Sequence, residues 1–303
     1  MKTSTVTPDD LHRSVIAVPP LARNSDYTIN REANTALVRY LESGGVSTIL
    51  YGGNANLYNA RPSEYAQILS TVQDAAGADT LVIPSVGPSY GVLMDQAEVL
   101  RDFGFPTVMV LPSGDLTTSE GVAEGLRHFA NRFGKPIIVY LKREGYLSPR
   151  DLKGLVDDGI VCAVKYAIVR RDPSDDPMLS RLTSSIDRHL IVSGIGERPA
   201  ITHMRDFGLK VFTSGSVSVA PRQSVALLVA LRNGNYEAAE QLRTRFLPLE
   251  DLRDAINPVR VLHDAVSLAK IADMGPLLPL TSNLSTDDRK RVAVAALELV
   301  EGE

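Results

Sequence analysis

A single cysteine, Cys162, stands in the 303 residues, so no internal disulfide can form, which agrees with a reducing compartment. No run of apolar residues approaches the ~20 that cross a bilayer, and residues 1–10 lack the apolar stretch of a secretion signal. A cytoplasmic protein with no membrane partner is the expectation. Positive charge is not in excess either: 32 Lys and Arg stand against 36 Asp and Glu, a formal charge of −4, which argues against a general attraction to nucleic acid or anionic lipid. A pocket can still oppose the net sign, so a small neutral or anionic ligand is allowed. The five histidines, His12, His128, His189, His203 and His263, show no metal-ligand spacing, and with one cysteine a structural zinc site is not expected. There is no Walker-type loop, no glycine-elbow serine and no nicotinamide fingerprint after the first strand. Neither a metal nor a cofactor is called for.

What is present is a regular alternation. Short β-branched runs at 15–18, 46–51, 80–83, 107–111, 137–140, 160–165, 189–192 and 209–213 read as eight strands. Most are apolar throughout, as strands covered on both faces of a parallel sheet should be. Helices lie between them. Asn30 caps one that Gly44-Gly45 stops, Arg61-Pro62-Ser63-Glu64 opens another, Ser119 begins a third before Gly134, and Ser148-Pro149-Arg150-Asp151 joins a cap, a first-turn proline and an acid. Eight β-α units with short crossovers predict an α/β fold, a (β/α)₈ barrel of ~250 residues, with an open doubly wound sheet as the alternative. Beyond Asn233-Gly234 the strand pattern stops, and 235–246, 258–274 and 286–300 read as helices. The division is a barrel over 1–234 and a C-terminal helical region over 235–303.

In such a barrel, reactive groups come from the carboxyl ends of the strands. Two ionisable residues end otherwise apolar strands there, Tyr140 on the fifth and Lys165 on the sixth. An amine held against apolar neighbours loses hydration and favours its neutral, nucleophilic form; the plain alternative is a lysine that returns to solvent. Tyr140 alone reads equally well as a wall residue with its hydroxyl in water. Their adjacency favours chemistry, because a phenol next to an amine can move protons. Gly52-Gly53-Asn54 can bring backbone N–H groups to a carboxylate, or serve as an ordinary turn. Gly194-Ile195-Gly196-Glu197, after the seventh strand, has the same two readings. Lys142 and Arg143 are either a solvated edge or a clamp for a second carboxylate, and Cys162 reads as a small core residue.

At these residues the chain resembles the dihydrodipicolinate synthase and N-acetylneuraminate lyase family of class I aldolases over almost its whole length. Gly52-Gly53-Asn54, Tyr140, Lys165 and the segment 214–221 fall in the family's order, and the tail through Gly275-Pro276-Leu277-Leu278-Pro279-Leu280 resembles its C-terminal region. Tyr51-Gly52-Gly53 leading to Glu64-Tyr65-Ala66-Gln67, Leu111-Pro112 to Glu120-Gly121, and Val219-Ala220-Pro221 look most like 5-dehydro-4-deoxyglucarate dehydratases. The resemblance implies a lyase in which Lys165 forms a Schiff base with a 2-keto acid and Tyr140 relays protons. Gly52, Gly53 and Asn54 would hold the carboxylate, with Gly194, Ser214, Gly215 and Ser216 completing the site and Arg143 as the second-carboxylate clamp. It also implies a homotetramer or homodimer. The chain departs from the family's pattern at Gly53-Asn54-Ala55-Asn56, where hydroxyl residues and Thr-Gly-Glu usually stand, and at Pro112-Ser113, where the synthase has a tyrosine that its partner subunit uses. A role in lysine synthesis is therefore not expected. Aldol cleavage, condensation or dehydration of a 2-keto-3-deoxy sugar acid is the reading, with a keto-acid-binding or regulatory barrel that does not turn over as the alternative.

Overall fold

The computed structural model describes every residue except Asp115 and Glu303. Its strands are β1 (Ile16–Ala17), β2 (Thr48–Tyr51), β3 (Leu81–Val86), β4 (Met109–Val110), β5 (Ile137–Leu141), β6 (Val161–Tyr166), β7 (Ile191–Ser193) and β8 (Thr213–Ser214). Every pairing is parallel, in the order β7-β6-β5-β4-β3-β2-β1-β8. A parallel bridge from Ser193 to Phe212 joins the two ends, so the sheet closes into the expected (β/α)₈ barrel. The strands are buried almost throughout, because helices cover the outside and side chains fill the inside.

The helices are α1 (Pro8–His12), α2 (Arg31–Ser43), α3 (Tyr65–Ala75), α4 (Tyr90–Leu100), α5 (Ser119–Phe133), α6 (Pro149–Asp157), α7 (Pro177–Ser185), α8 (Ala200–Arg205), α9 (Pro221–Arg232), α10 (Tyr236–Ala255), α11 (Pro258–Leu268) and α12 (Thr286–Glu301). Local signals set many boundaries. Asn30 Oδ1 accepts from the Ala33 N–H at 3.0 Å to start α2, and Ser148 Oγ accepts from Asp151 N–H at 3.1 Å to start α6.

Three boundaries differ from the pattern. Residues Arg188–Leu190 form a 3₁₀ turn capped by Asp187, so the seventh strand begins at Ile191. α10 continues through Pro248 to Ala255; the burial of Leu249, Glu250 and Arg253 beyond the proline outweighs the one backbone bond that proline removes. α11 stops at Leu268, and Lys270 turns left-handed at φ 59° just beyond.

Two placements position the site. Between β5 and β6 the register steps: Ile137 pairs with Val161 but Ile138 with Ala163, which leaves Cys162 as the extra residue of a bulge. Beyond the step Tyr140 stands opposite Lys165. The three last helices share a hydrophobic cluster with Val219 and Ala220, in which Phe246, Leu249, Val261, Val292 and Leu299 are buried. They pack at the carboxyl end of the barrel rather than trailing from it.

Candidate active site

A cavity of about 490 Å³ opens at the carboxyl ends of the strands. Its wall carries Lys165 from β6, Tyr140 from β5, and Gly53 and Asn54 after β2. Gly194 and Gly196 follow β7, and Gly215 follows β8. Lys165 is only 5% exposed, with its Nζ 4.2 Å from the centre of the Tyr140 ring. The ring face, not the hydroxyl, meets the amine; the hydroxyl has no protein hydrogen-bond partner among the described residues and lies at the cavity. Burial, then the nearby charges of Lys142 and Arg253, lower the Lys165 amine to about 7. A large part of it is then the neutral nucleophile near pH 7. Burial pushes the Tyr140 phenol up to about 12, so it is a protonated donor there and not a phenolate.

Gly194 makes room for the lysine. A Cβ at that position would lie 2.6 Å from Tyr166 O and 2.9 Å from Lys165 Cγ, and the Gly194 N–H donates to Tyr166 O at 2.6 Å. Any side chain there would push β7 away from the stem of the buried amine. Asn54 donates through Nδ2 to Val18 O at 2.9 Å, which ties the segment after β2 to the end of β1. Asn56 Nδ2 likewise donates to Thr281 Oγ1 at 2.9 Å.

The remaining sequence-derived candidates lie elsewhere. Gly52 sits behind the lining, packed near Met109 and Ser85. Ser214, the last residue of β8, and Ser216 in the turn just beyond it are buried, and Ser214 Oγ accepts from Val217 N–H at 2.9 Å. Arg143 turns away from the cavity. Its Nη2 donates to Gly114 O at 2.9 Å and to Thr117 Oγ1 at 3.2 Å, and its guanidinium lies over the Tyr146 ring at 5.6 Å. Its neighbour Lys142 lines the cavity instead. Cys162 is a partly buried bulge residue whose thiol donates to Ile137 O at 3.5 Å, and burial raises its pKa, which suits a packing role.

Sequence reasoning missed several lining residues: Tyr58 and Asn59 in the turn after β2, and Arg253, Asp254, Asn257 and Thr281 from the C-terminal region. Tyr58 lies in a 3₁₀ turn, and its ring is 3.9 Å from where a Gly53 Cβ would be. Among the described residues no group of His, Cys, Asp and Glu could hold a metal ion, and no helix is long and apolar enough to cross a membrane.

A closed parallel barrel with a buried amine beside a phenol at the carboxyl ends of its strands has the fold on which class I aldolases and related lyases are built. Residues 12–298 match the Dihydrodipicolinate synthetase family, and the chain belongs to that family. It is 24% identical over 303 residues to a probable 5-dehydro-4-deoxyglucarate dehydratase of Streptomyces avermitilis, covering 95% of this chain and 88% of that protein. It is 27% identical over 292 residues to an uncharacterized DapA-like lyase of Halobacterium salinarum, covering 93% and 91%. The crystal structure of dihydrodipicolinate synthase from Bacillus clausii superposes with a TM-score of 0.84 at 25% identity, covering 95% of this chain and 97% of that one.

Proposed function

We propose that the protein is a Schiff-base lyase acting on a 2-keto acid, by aldol cleavage or condensation, or by dehydration, of a 2-keto-3-deoxy sugar acid. The observation that carries this is the buried Lys165 amine, lowered to about 7 and lying 4.2 Å from the Tyr140 ring. In the reading, the neutral amine adds to the keto carbon, and loss of one water leaves the imine, which acts as an electron sink. Removal of a proton from the adjacent carbon makes an enamine. Its electron pair then forms a bond to an aldehyde, or runs the other way in cleavage, or expels a hydroxyl from the next carbon as water. Tyr140, protonated and bordering the cavity, supplies or returns the proton, while backbone groups around Gly53 and Asn54 receive the carboxylate, with Gly52 behind them. Gly194 and Gly215 shape the wall, and Ser214 and Ser216 support it from behind. The dehydratase relative supports the sugar-acid class.

On this reading the partner is a small 2-keto acid, with no metal and no cofactor, and the protein works in the cytoplasm as a homotetramer or homodimer. An apolar groove of about 620 Å³ between α4 and α5, with Tyr90 and Leu116 exposed at its edge, supports contact between copies. The test of the chemistry is pyruvate followed by borohydride. A mass adduct on Lys165, absent in Lys165→Ala, is the expected result. No adduct on Lys165 sinks the Schiff base. An adduct without turnover across a panel of keto-deoxy sugar acids leaves a binding barrel instead of a lyase.

A further inference from the structure

Each branch of the chemistry proposed above converges on one oxygen. The imine takes the keto carbon and the enamine takes the carbon beside it, so the bond that forms or breaks lies at the second carbon out, the carbinol carbon of an aldol. In condensation the enamine's electron pair joins the aldehyde carbon, and the aldehyde oxygen gains a proton. In cleavage that pair returns to the iminium and the carbinol hydroxyl loses its proton. In dehydration the C–O electron pair departs with the oxygen, which takes up a proton and leaves as water. The carbinol oxygen is three bonds from the keto carbon. The group that serves it therefore stands further along the cavity wall than the contact between Lys165 and the Tyr140 ring.

Tyr58 occupies such a place. It lines the cavity from the turn after β2, whereas Tyr140 and Lys165 line it from β5 and β6. In the barrel β2 and β5 are separated by β3 and β4, so a carbon chain that starts at the amine meets the two phenols on different sides. The turn that carries Tyr58, Leu57–Asn59, is held in position. Asn56 before it has φ 56°, a left-handed conformation that asparagine adopts more readily than most residues. Asn56 Nδ2 donates to Thr281 Oγ1 at 2.9 Å, and Asn59 Nδ2 donates to Asn56 Oδ1 at 2.8 Å. The Tyr58 ring lies over Gly53, 3.9 Å from where a Cβ would stand, so a large side chain at Gly53 would crowd it.

The Tyr58 hydroxyl makes no hydrogen bond to another described residue, and with 38% of the residue exposed it is open to solvent. Burial first, then negative charge on Tyr140 and on Tyr146, push the phenol up, so it is a protonated donor near pH 7. That influence also puts Tyr58 within reach of the charge of Tyr140. The other polar side chains of this wall are engaged. Asn54 donates to Val18 O at 2.9 Å, and Thr281 Oγ1 donates to Leu278 O at 2.6 Å while it accepts from Asn56.

We propose that Tyr58 is a second catalytic phenol, which exchanges a proton with the carbinol oxygen while Tyr140 serves the imine and the carbon beside it. The assignment rests on the Schiff-base reading above and adds the residue that works at the far oxygen. In condensation and dehydration Tyr58 gives its proton to that oxygen and recovers one from solvent water. In cleavage its oxygen receives the hydroxyl proton as its own proton passes to water.

Tyr58→Phe keeps the ring and removes the hydroxyl, and two reactions of the full-length protein separate the phenols. Exchange of the pyruvate methyl protons in deuterated water, followed by NMR, needs only the imine and the enamine. Turnover of a keto-deoxy sugar acid, the best substrate in the panel above, needs the carbinol oxygen as well. Tyr58→Phe is expected to lower turnover by ~10²-fold or more and to leave methyl exchange at the wild-type rate, whereas Tyr140→Phe slows both. Wild-type turnover in Tyr58→Phe overturns the assignment. So does an equal loss of exchange and turnover, which would make Tyr58 a residue that only shapes the pocket. The parent reading fails by other signs: a wild type that gives no pyruvate adduct on Lys165, or one that gives the adduct and the exchange but turns over no member of the panel, and the role of Tyr58 falls with it.

Discussion

Lys165 makes its reactivity dependent on pH in a direction that follows from its surroundings. Burial and the positive charges of Lys142 and Arg253 disfavour the ammonium and lower its pKa to about 7, so the neutral amine accumulates as pH rises through that value. Trapping of pyruvate with cyanoborohydride should therefore speed up through about pH 7 and level off above it. Lys142→Met removes a positive neighbour and eases protonation of the amine, so its rising limb should move to higher pH. A limb at the same pH in both proteins would mean that Lys142 does not act on the amine. Tyr140 allows a second prediction. With its phenol protonated to about 12 and bordering the cavity, Tyr140→Phe keeps the ring over Lys165 and loses only the hydroxyl. Turnover should fall by ~10²-fold or more while pyruvate still forms its adduct; unchanged turnover would remove Tyr140 from the proton path. Both residues were legible in the sequence, since each ends an apolar strand at the face where barrels react. Lys142 was half legible: the sequence offers two adjacent cations after β5, and only the fold shows that Arg143 bends to Gly114 and Thr117 while Lys142 takes the cavity wall.

Among the elements, those whose ends carry a capping side chain followed the pattern closely, as α2 and α6 do with Asn30 and Ser148. Elements governed by tertiary contact did not. The run of α10 past Pro248 depends on what Leu249 and Glu250 are buried against, which no local signal records. The segment between β1 and α2 is another case. Arg23, 3% exposed, donates Nη2 to Glu64 Oε1 at 2.7 Å and Nη1 to Glu64 Oε2 at 3.1 Å, and this fork joins that segment to the 3₁₀ turn Pro62–Glu64 that opens α3. Glu64→Ala leaves a buried guanidinium with one remaining bond, to Tyr27 O at 2.7 Å. Removing one partner of a buried pair should cost on the order of 3 kcal/mol in chemical denaturation. A change below ~1 kcal/mol would assign the fork the modest worth of a surface pair.

At the scale of the whole molecule, the cavity draws on both sides of the boundary that the sequence pattern suggests at 234/235: Arg253, Asn257 and Thr281 line it together with residues of the barrel. Their participation was not legible, because an arginine near the end of α10, a capping asparagine before α11 and a loop threonine look the same in sequence whether they meet solvent or a ligand. The barrel itself was legible, since eight apolar strands separated by capped helices leave few other arrangements. One small irregularity of that barrel reaches further than its size. The step at Cys162 lets β6 hold one residue more than β5 over the same length. A ladder without it would set Tyr140 against Val164 and Lys165 against Leu141. Parallel partners share a face and successive residues alternate, so phenol and amine would then lie on opposite sides of the wall. Parity, counted from Cys162, decides whether the phenol and the amine meet across the cavity or are parted by the barrel wall.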